Sequence, residues 1–446
     1  MQLHAAARLG LLLLLAASSC SPACCKVTWE TVHPATAEAT GGRNSPAIRY
    51  SHAAATYDKQ MFISHGYYYD AATGEPKWLS DTWAMAMQPP YKWHKLHDGI
   101  AHADAVKAAQ RKKPGKAPCG RYGATSVAYA GKLYLFGGTD GGHSKHGKPG
   151  YEQGYDLDEL WSFDIKKRSW SPILNAKASP EWPAARYLHV AVPVGAQMLV
   201  YGGNAAELGD VWSFDFASRK WMLLIKTVEA DVGGPGSLFA ASAVPAGDGD
   251  GFLVFGGRRF RAKPSELSEH TWHFSVSRRQ WQRLQSRPSG VPKVAVGGVP
   301  MDAQVTKRLL PVPRFYSAMA NIAHANSIRD RLPMAIMAAG SIHTPTMECT
   351  DETWAVSWDL QQKVATWKKL PAMPYGIYYH SISVHGGVAF TFGGHLCSES
   401  KGDKPFYYLN TVHRLELQEF TLPVRDDKNP DRIHVDFDRE LFHRRR

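Results

Sequence analysis

The sequence predicts an all-β protein in which six similar four-stranded antiparallel sheets, or blades, stand side by side in a closed ring. Pairs of tryptophans nine residues apart recur along the chain: Trp161 and Trp170, Trp212 and Trp221, and Trp272 and Trp281. Each pair follows an apolar run that ends in a diglycine, at 133–138, 198–203 and 252–257. A unit that returns roughly every 50–80 residues is typical of a repeat architecture.

Composition agrees with a folded, strand-rich chain. Hydrophobic residues make up 44% of the 446 residues and charged residues 21%, which excludes a disordered protein. The chain contains 14 tryptophans and 39 glycines, and repeated strands joined by tight turns need both. The length allows one large repeat fold or two to three ordinary domains.

The first residues have the features of a secretory signal. Arg8 precedes the apolar run 9–17, and small residues follow it. We assign 1–23 to a signal peptide, and cleavage near Ser19 or near Ala23 fits equally well. The run is shorter than the about 20 residues that span a bilayer. We therefore expect a protein without a membrane span, secreted or in the lumen of the secretory pathway.

The segment 121–174 illustrates one blade. A run of small and apolar residues and the turn at Gly131 lead into a buried strand that ends in the diglycine. After a variable loop, the segment around Trp161 alternates polar and apolar residues, and a four-residue turn leads to the strand of Trp170. One such sheet cannot bury both of its faces alone, so neighbouring sheets must cover them.

The same order of strands defines the rest of the chain. The fifth blade lacks a full diglycine, and the sixth has no outer strand with a tryptophan. The segment 26–32, which carries Trp29, has the form of that missing strand, so we expect it to complete the last blade and close the ring. The alternative is an unpaired N-terminal extension. We assign 24–420 to the ring and 421–446 to a charged tail, with blades at about 47–97, 119–175, 184–226, 236–286, 312–371 and 375–418.

These features resemble the kelch-repeat β-propellers. The shared marks are the diglycine after an apolar strand, the spaced aromatic pair, and an Arg-Tyr or Arg-x-x-His start to the inner strand. The resemblance covers about residues 26–418 and implies a six-bladed propeller. It is much weaker evidence for function, because propellers include enzymes, receptors and scaffolds.

Long insertions bring positive charge to one face of the predicted propeller. If the strands of a blade are named a to d, the b–c loops and d–a connections emerge on the same face. The basic residues of these insertions are Arg111, Lys112, Lys113, Lys145, Arg258, Arg259 and Arg261. With a net charge of +12 and a pI near 9.3, the chain is expected to bind an acidic glycan or an acidic protein segment. The alternative is that these charges only keep the surface solvated; the secretory signal argues against nucleic acid.

A second candidate site lies where the inner strands begin. Four arginines and three histidines are expected at the rim of the central channel: Arg49, Arg121, Arg186, Arg314, His52, His189 and His380. Arginine forks can bind carboxylate or sulfate through two hydrogen bonds. The resemblance to kelch receptors implies that such arginines help to bind acidic peptide motifs. Alternatively, the arginines and histidines form hydrogen bonds between neighbouring blades.

The cysteines predict one disulfide. Cys349 and Cys397 fall in the b–c loops of neighbouring blades on the same face, so a bond between them is geometrically plausible. The spacing of the six cysteines matches no zinc-binding pattern, and we expect neither a metal nor another cofactor.

An enzymatic function is the alternative to binding. Galactose-oxidase-like propellers use a copper site of tyrosines and histidines, for which Tyr50, Tyr187, Tyr316 and Tyr379 supply candidate ligand types beside the three histidines. Sialic-acid-mutarotase-like propellers need a carboxylate and an arginine in the channel. The chain contains no nucleophile motif, phosphate-binding loop or HExxH sequence. We therefore favour a monomeric, non-enzymatic binding protein.

Overall fold

The computed structural model describes most of the chain between residues 28 and 417 and two short strands beyond it. The described residues are 28–34, 44–70, 73–100, 115–140, 156–174, 181–204, 208–228, 230, 232–259, 266–289, 309–322, 332–342, 348–397, 408–417, 424–425 and 433–434. Every regular element in these ranges is a β-strand, in agreement with the all-β prediction. The same ranges contain no helix that could cross a membrane. The segment 1–23 assigned to a signal peptide lies outside them.

The first repeat, unit 1, follows the N-terminal strand β1 (Glu30–His33) in the chain. Its strands are β2 (Ala53–Tyr57), β3 (Gln60–Ser64), β4 (Tyr67–Asp70), β5 (Glu75–Trp78), β6 (Thr82–Ala86) and β7 (Trp93–His97). Strands β2, β3, β6 and β7 pair in that order as one antiparallel sheet. Strands β4 and β5 form a separate hairpin in the loop between the second and third main strands, an element that the sequence pattern did not reveal.

Units 2 and 3 are simple antiparallel meanders. Their strands are β8 (Thr125–Tyr129), β9 (Lys132–Phe136), β10 (Leu160–Asp164) and β11 (Ser169–Ile173), then β12 (Val190–Val194), β13 (Gln197–Tyr201), β14 (Val211–Asp215) and β15 (Lys220–Ile225). The second strand of each is apolar on both faces, and Leu135 and Phe136 have no exposed surface. A strand covered on both faces in this way lies inside a stack of sheets.

Eight of the ten strands in units 4 and 5 form one sheet, and the two shortest pair with each other separately. The strands of these units are β16 (Leu238–Phe239), β17 (Ser242–Pro245), β18 (Gly251–Phe255), β19 (Arg258–Arg259), β20 (Thr271–Ser275) and β21 (Gln280–Pro288), then β22 (Ala318–Asn321), β23 (Met334–Ala338), β24 (Thr353–Asp359) and β25 (Val364–Leu370). The outer strands β21 and β25 pair in parallel, with Gln285 opposite Val364. The sequence did not predict this pairing, because only the extension of β21 past Leu284 makes it possible.

Unit 6 contains both ends of the repeat region. Its strands are β26 (Ile377–Tyr378), β27 (Ser381–His385), β28 (Val388–Phe392), β29 (His395–Leu396) and β30 (Val412–Glu416), and the tail adds the pair β31 (Val424–Arg425) and β32 (Ile433–His434). Strand β1 pairs antiparallel with β30, with Thr31 opposite His413. The buried Trp29 indole donates hydrogen bonds to Thr353 Oγ1 and to the Pro371 carbonyl, both at 3.1 Å. Strand β1 is thus the fourth strand of the sheet that β27, β28 and β30 form.

The first main strands of the six units, β2, β8, β12, β17, β22 and β27, contact one another in chain order, and β27 contacts β2. Just before each of these strands, one residue donates its backbone N–H to the carbonyl of its counterpart in a neighbouring unit. We call these residues the belt: Ser51, Gly123, Leu188, Ala240, Tyr316 and Tyr379. The six bonds, of 2.8–3.1 Å, run around without interruption and return to Ser51. All six belt residues adopt positive φ, from 51° to 68°.

The hydrophobic core is divided among the interfaces between neighbouring sheets. At several of these interfaces the last residue of a second strand packs against a tryptophan of the next unit's outer strand. The ring centroids are 5.0 Å apart for Phe136 with Trp221, 4.8 Å for Tyr201 with Trp281, 4.7 Å for Phe255 with Trp367 and 5.0 Å for Phe392 with Trp93. These contacts explain why the tryptophans recur with the repeat, since each fills the space over a neighbouring strand.

The predicted Cys349–Cys397 disulfide is present. Its Cα atoms are 5.9 Å apart, and it joins units 5 and 6 across a sequence separation of 48 residues. A cross-link that closes a loop of this length stabilises a fold by about 2–4 kcal/mol. Cys119 is the free cysteine among the residues that the structure describes.

Candidate functional site at the mouth of the central channel

The four arginines predicted at the channel rim are buried. Arg49, Arg121, Arg186 and Arg314 have no exposed surface, and each forms an ion pair with a carboxylate just before the third main strand of its own unit. The pairs are Arg49–Asp81 at 2.7 Å, Arg121–Glu159 at 2.7 Å, Arg186–Asp210 at 2.8 Å and Arg314–Glu352 at 2.7 Å.

Each guanidinium also bonds to the backbone. Arg186, for example, donates from Nε to the Ala184 carbonyl and from Nη1 to the Gly202 carbonyl. The carboxylate partner accepts a further bond from a tryptophan two residues later, as Asp210 does from Trp212 Nε1 at 2.6 Å. The expectation of arginine forks open to an acidic ligand is therefore corrected. Each arginine connects its own segment to the end of the second main strand and to the carboxylate before the third. Because the arginines have no exposed surface, a ligand at the mouth would not reach them.

The ion pairs govern the protonation of the carboxylates. Burial alone would raise the pKa of Asp81, but the neighbouring Arg49 guanidinium and its hydrogen bonds outweigh burial and hold that pKa below its usual value. Glu352 has a lowered pKa too, since hydrogen bonds from Lys369 and Arg314 outweigh burial. These carboxylates are thus charged at neutral pH and match the arginines.

The three predicted histidines lie on the other side of the belt, in the walls of the channel. His52 Nε2 hydrogen-bonds to Ser381 Oγ at 2.8 Å, and His189 Nε2 to Thr125 Oγ1 at 2.7 Å, each across the boundary to a neighbouring unit. Burial lowers the pKa of His52 and of His189 well below the usual value and that of His380 to about 3. All three are therefore neutral at pH 7, and two of them bond across unit boundaries, as in the alternative role considered for them from the sequence.

The channel at this level is a cavity of about 240 Å³. Its walls come from the first strands of all six units and are mostly small residues, such as Ala53, Ala124 and Ala241. The six belt residues are among those that line this cavity, together with the three histidines and several serines. The channel and the mouth thus both present polar groups.

A second ring of residues surrounds the mouth, and we call it the collar. In each unit the residue just before the belt pairs with the residue that follows the diglycine or its equivalent. The pairs are Tyr50–Tyr67, Tyr122–Thr139, Tyr187–Asn204, Phe239–Arg258, Phe315–Ser341 and Tyr378–His395. In five units a third residue extends the row, namely Trp78, Asp156, Leu267, Cys349 and Tyr408. Most of these residues were not predicted from the sequence, although one member of each pair directly follows a diglycine or its equivalent.

Aromatic side chains dominate the collar and the adjoining part of the belt. The Tyr50 ring stacks on Tyr408 with centroids 5.4 Å apart and lies 5.1 Å from Tyr379. The Tyr379 ring stacks in turn on Tyr316 at 3.7 Å. Burial raises the pKa of Tyr316 to about 12 and that of Tyr378 to about 12, so the phenols stay neutral and can both donate and accept hydrogen bonds.

Two kinds of charge reach the collar. Arg258 lies over the Phe239 ring at 5.7 Å, and Arg259 forms an ion pair with Glu266 at 3.4 Å. Asp156 lies in unit 2, and burial raises its pKa to about 7. The other predicted basic-face residues, Arg111, Lys112, Lys113, Lys145 and Arg261, lie outside the described residues.

Several of the candidate copper ligands already have partners: His52 and His189 use Nε2 for hydrogen bonds to hydroxyl groups, and the Tyr316 and Tyr379 rings stack on each other. Within the part of the chain that the structure describes, no group of three or more His, Cys, Asp or Glu side chains could hold a metal ion.

The sequence is similar to those of known propeller and kelch-domain proteins. Residues 102–303 match the family model described as the attractin/LZTR1 beta-propeller. The chain is 26% identical over 219 residues to a leucine-zipper-like transcriptional regulator 1 homolog of Drosophila melanogaster, covering 48% of this chain and 19% of that protein. It is 25% identical over 183 residues to Kelch domain-containing protein 10 of Homo sapiens, covering 40% and 37%. The matched regions thus span well under half of these relatives.

A solved structure gives the same architecture over a longer stretch. The structure of YjhT superposes with a TM-score of 0.52 at 14% sequence identity, and the match covers 83% of this chain and 96% of that one. At this identity the likeness concerns the fold alone.

Proposed function

This chain belongs to the kelch-type β-propeller family, and from that premise we propose that it is a six-bladed binding protein whose ligand docks on the collar face. Three observations support six blades closed by the N-terminal strand. The belt returns to its starting residue after six hydrogen bonds, the first strands of units 1 and 6 are in contact, and β1 pairs with β30. Propeller faces commonly present loops to partners, because the scaffold beneath them is rigid.

The proposed ligand is acidic, either a sulfated or uronic glycan or an acidic protein segment. The observation that carries this proposal is the partly exposed Arg258 on the collar, the first residue of the basic stretch 258–263 of the sequence. A net charge of +12 adds a long-range attraction for anions.

Heparin chromatography tests the acidic-ligand proposal. Replacing Arg111, Lys112 and Lys113 together by glutamine is expected to weaken heparin binding on the order of 100-fold, at roughly 1 kcal/mol for each cation facing an anionic surface. The variant should elute at clearly lower salt than the unchanged protein. The matched control replaces Lys166, Lys167 and Arg168, three exposed cations in the β10–β11 turn on the opposite face. Equal elution shifts for the two triple variants would contradict a ligand face on the collar side.

We also propose that the protein enters the secretory pathway, because 1–23 has the charge and apolar pattern of a signal. Expression in a secreting host should place the protein in the medium with an N-terminus close to Ser19 or Ala23. Protein sequencing of the secreted chain checks this. Recovery from the cytosol with Met1 intact would refute it.

A further inference from the structure

The part of the collar formed by units 1, 2 and 3 contains a cluster of aromatic rings around Tyr122. The centroid of this ring lies 5.5 Å from Trp78, 5.8 Å from Tyr187, 6.0 Å from Tyr67 and 6.4 Å from Tyr50. Trp78, Tyr122, Tyr187 and Tyr50 are each partly exposed. Ring faces at these separations leave an electron-rich surface at the mouth that solvent can reach.

A carboxylate lies in the same row as this cluster. Tyr122 pairs with Thr139, and Thr139 pairs with Asp156, so the three side chains share one face of a short three-stranded ladder. Asp156 is partly buried and, among the residues that the structure describes, forms no hydrogen bond or ion pair. The Asp156 carboxylate is close enough to affect a neighbouring phenol. Burial raises the pKa of Tyr187 most, and the negative charge of Asp156 raises it further.

No described cation offsets this carboxylate. The nearest arginines in the chain, Arg121 and Arg186, are buried below the collar and paired with Glu159 and Asp210. Arg258 lies over Phe239 in unit 4, on the far side of unit 3. Among the described residues of the mouth, Arg258 thus supplies positive charge at unit 4, and Asp156 lies with the aromatic rings at units 1 to 3.

We propose that the surface formed by Trp78, Tyr122, Tyr187 and Asp156 binds an organic cation, namely an alkylammonium group such as a lysine side chain or a methylated amine. Aromatic faces attract such cations through the ring quadrupole, and the attraction grows when water is excluded. The carboxylate supplies the counter-charge, and its desolvation cost is offset when a cation binds beside it. This inference concerns a different part of the mouth from the acidic-ligand site and does not depend on it.

The charge state of Asp156 gives the site a characteristic pH dependence. With a pKa of about 7 in the free protein, the carboxyl is mostly neutral at pH 6 and mostly charged at pH 8. The groups that face it are Tyr122, Tyr187 and Thr139, and burial raises the pKa of both phenols, so none of the three changes charge in this range. Affinity for a cation should therefore rise about tenfold from pH 6 to pH 8.

Calorimetric titration of the full-length protein with choline tests the proposal. Choline is a quaternary ammonium, and 3,3-dimethylbutan-1-ol is its uncharged counterpart of the same shape. We expect choline to bind at pH 8, about tenfold more weakly at pH 6, and the alcohol to bind at least tenfold more weakly than choline. Asp156→Asn should lose tenfold or more in choline affinity, whereas Asp158→Asn, two residues away and exposed, should bind as the unchanged protein does.

Three results of these titrations would contradict the cation site. Absence of choline binding, equal binding of the alcohol, or an unchanged affinity of Asp156→Asn would each overturn the cation site. Loss of folding does not confuse the test, because Asp156→Asn removes a charge that is desolvated in the folded protein and should raise the unfolding midpoint at pH 8. Heparin elution of Asp156→Asn reports on the acidic-ligand proposal separately, so one proposal can fail while the other stands.

Discussion

Replacing Asp210 with alanine is expected to lower the free energy of unfolding by about 3–5 kcal/mol, since it leaves a buried guanidinium without its counter-charge. Arg186 has no exposed surface and donates two hydrogen bonds to the Asp210 carboxylate, at 2.8 and 3.1 Å. The same carboxylate accepts the Trp212 indole N–H. The substitution therefore removes three charge-assisted or indole bonds at one point of unit 3. Urea unfolding followed by tryptophan fluorescence measures the loss.

A double variant distinguishes a lost counter-charge from lost packing. Arg186→Met with Asp210→Leu removes both charges and retains apolar volume, so it should recover at least half of the stability lost by Asp210→Ala. Recovery stays incomplete because the Ala184 and Gly202 carbonyls lose their Arg186 donors. A single variant that loses less than about 1 kcal/mol would contradict a buried ion pair at this position.

Gly256→Ala is the second substitution with a large expected effect, on the order of 3–5 kcal/mol. Gly256 has φ of +69°, and a Cβ added there would lie 2.2 Å from the Arg314 carbonyl oxygen of the next unit. Both sides of this contact are backbone, and the adjacent Gly257 N–H donates to the same oxygen at 2.8 Å. Neither side can yield without disturbing the boundary between units 4 and 5. The change in the unfolding midpoint gives the measurement.

Gly195→Ala is the matched control for backbone strain alone. Gly195 has φ of +57°, but a Cβ there meets nothing within 4 Å. This control should lose only about 1–2 kcal/mol, the ordinary cost of a left-handed conformation for alanine. If the two variants lost similar free energies of unfolding, the close approach of Gly256 to the Arg314 carbonyl would not contribute to stability.

The same contact explains the diglycines. Added Cβ atoms would meet the carbonyl of Arg186 at Gly137 and that of Leu238 at Gly202, at 2.5 and 2.3 Å. Unit 5 keeps only the second glycine, and Ala339 adopts φ of 49° in place of the first. The sequence could reveal that a glycine recurs, but the reason for it lies in another unit about 50 residues away.

The buried ion pairs could have been predicted more fully than they were. An acidic residue stands two positions before a tryptophan in four units, at Asp81, Glu159, Asp210 and Glu352. Each of these carboxylates binds the arginine that was interpreted as a ligand-binding residue. Spacing along one chain shows that a cation recurs. It does not show which side of the backbone the side chain takes, and that decides whether the cation meets a ligand or a carboxylate.

By itself, the sequence determined the strand type, the repeat and the Cys349–Cys397 pair, because these depend on local periodicity and on residues in equivalent positions of neighbouring repeats. Tertiary structure alone decided that the arginines are buried, that Asp156 lies in one row with Thr139 and Tyr122, and that β21 pairs with β25. Each of these depends on segments that are distant in the chain and meet only when the sheets pack around a common centre.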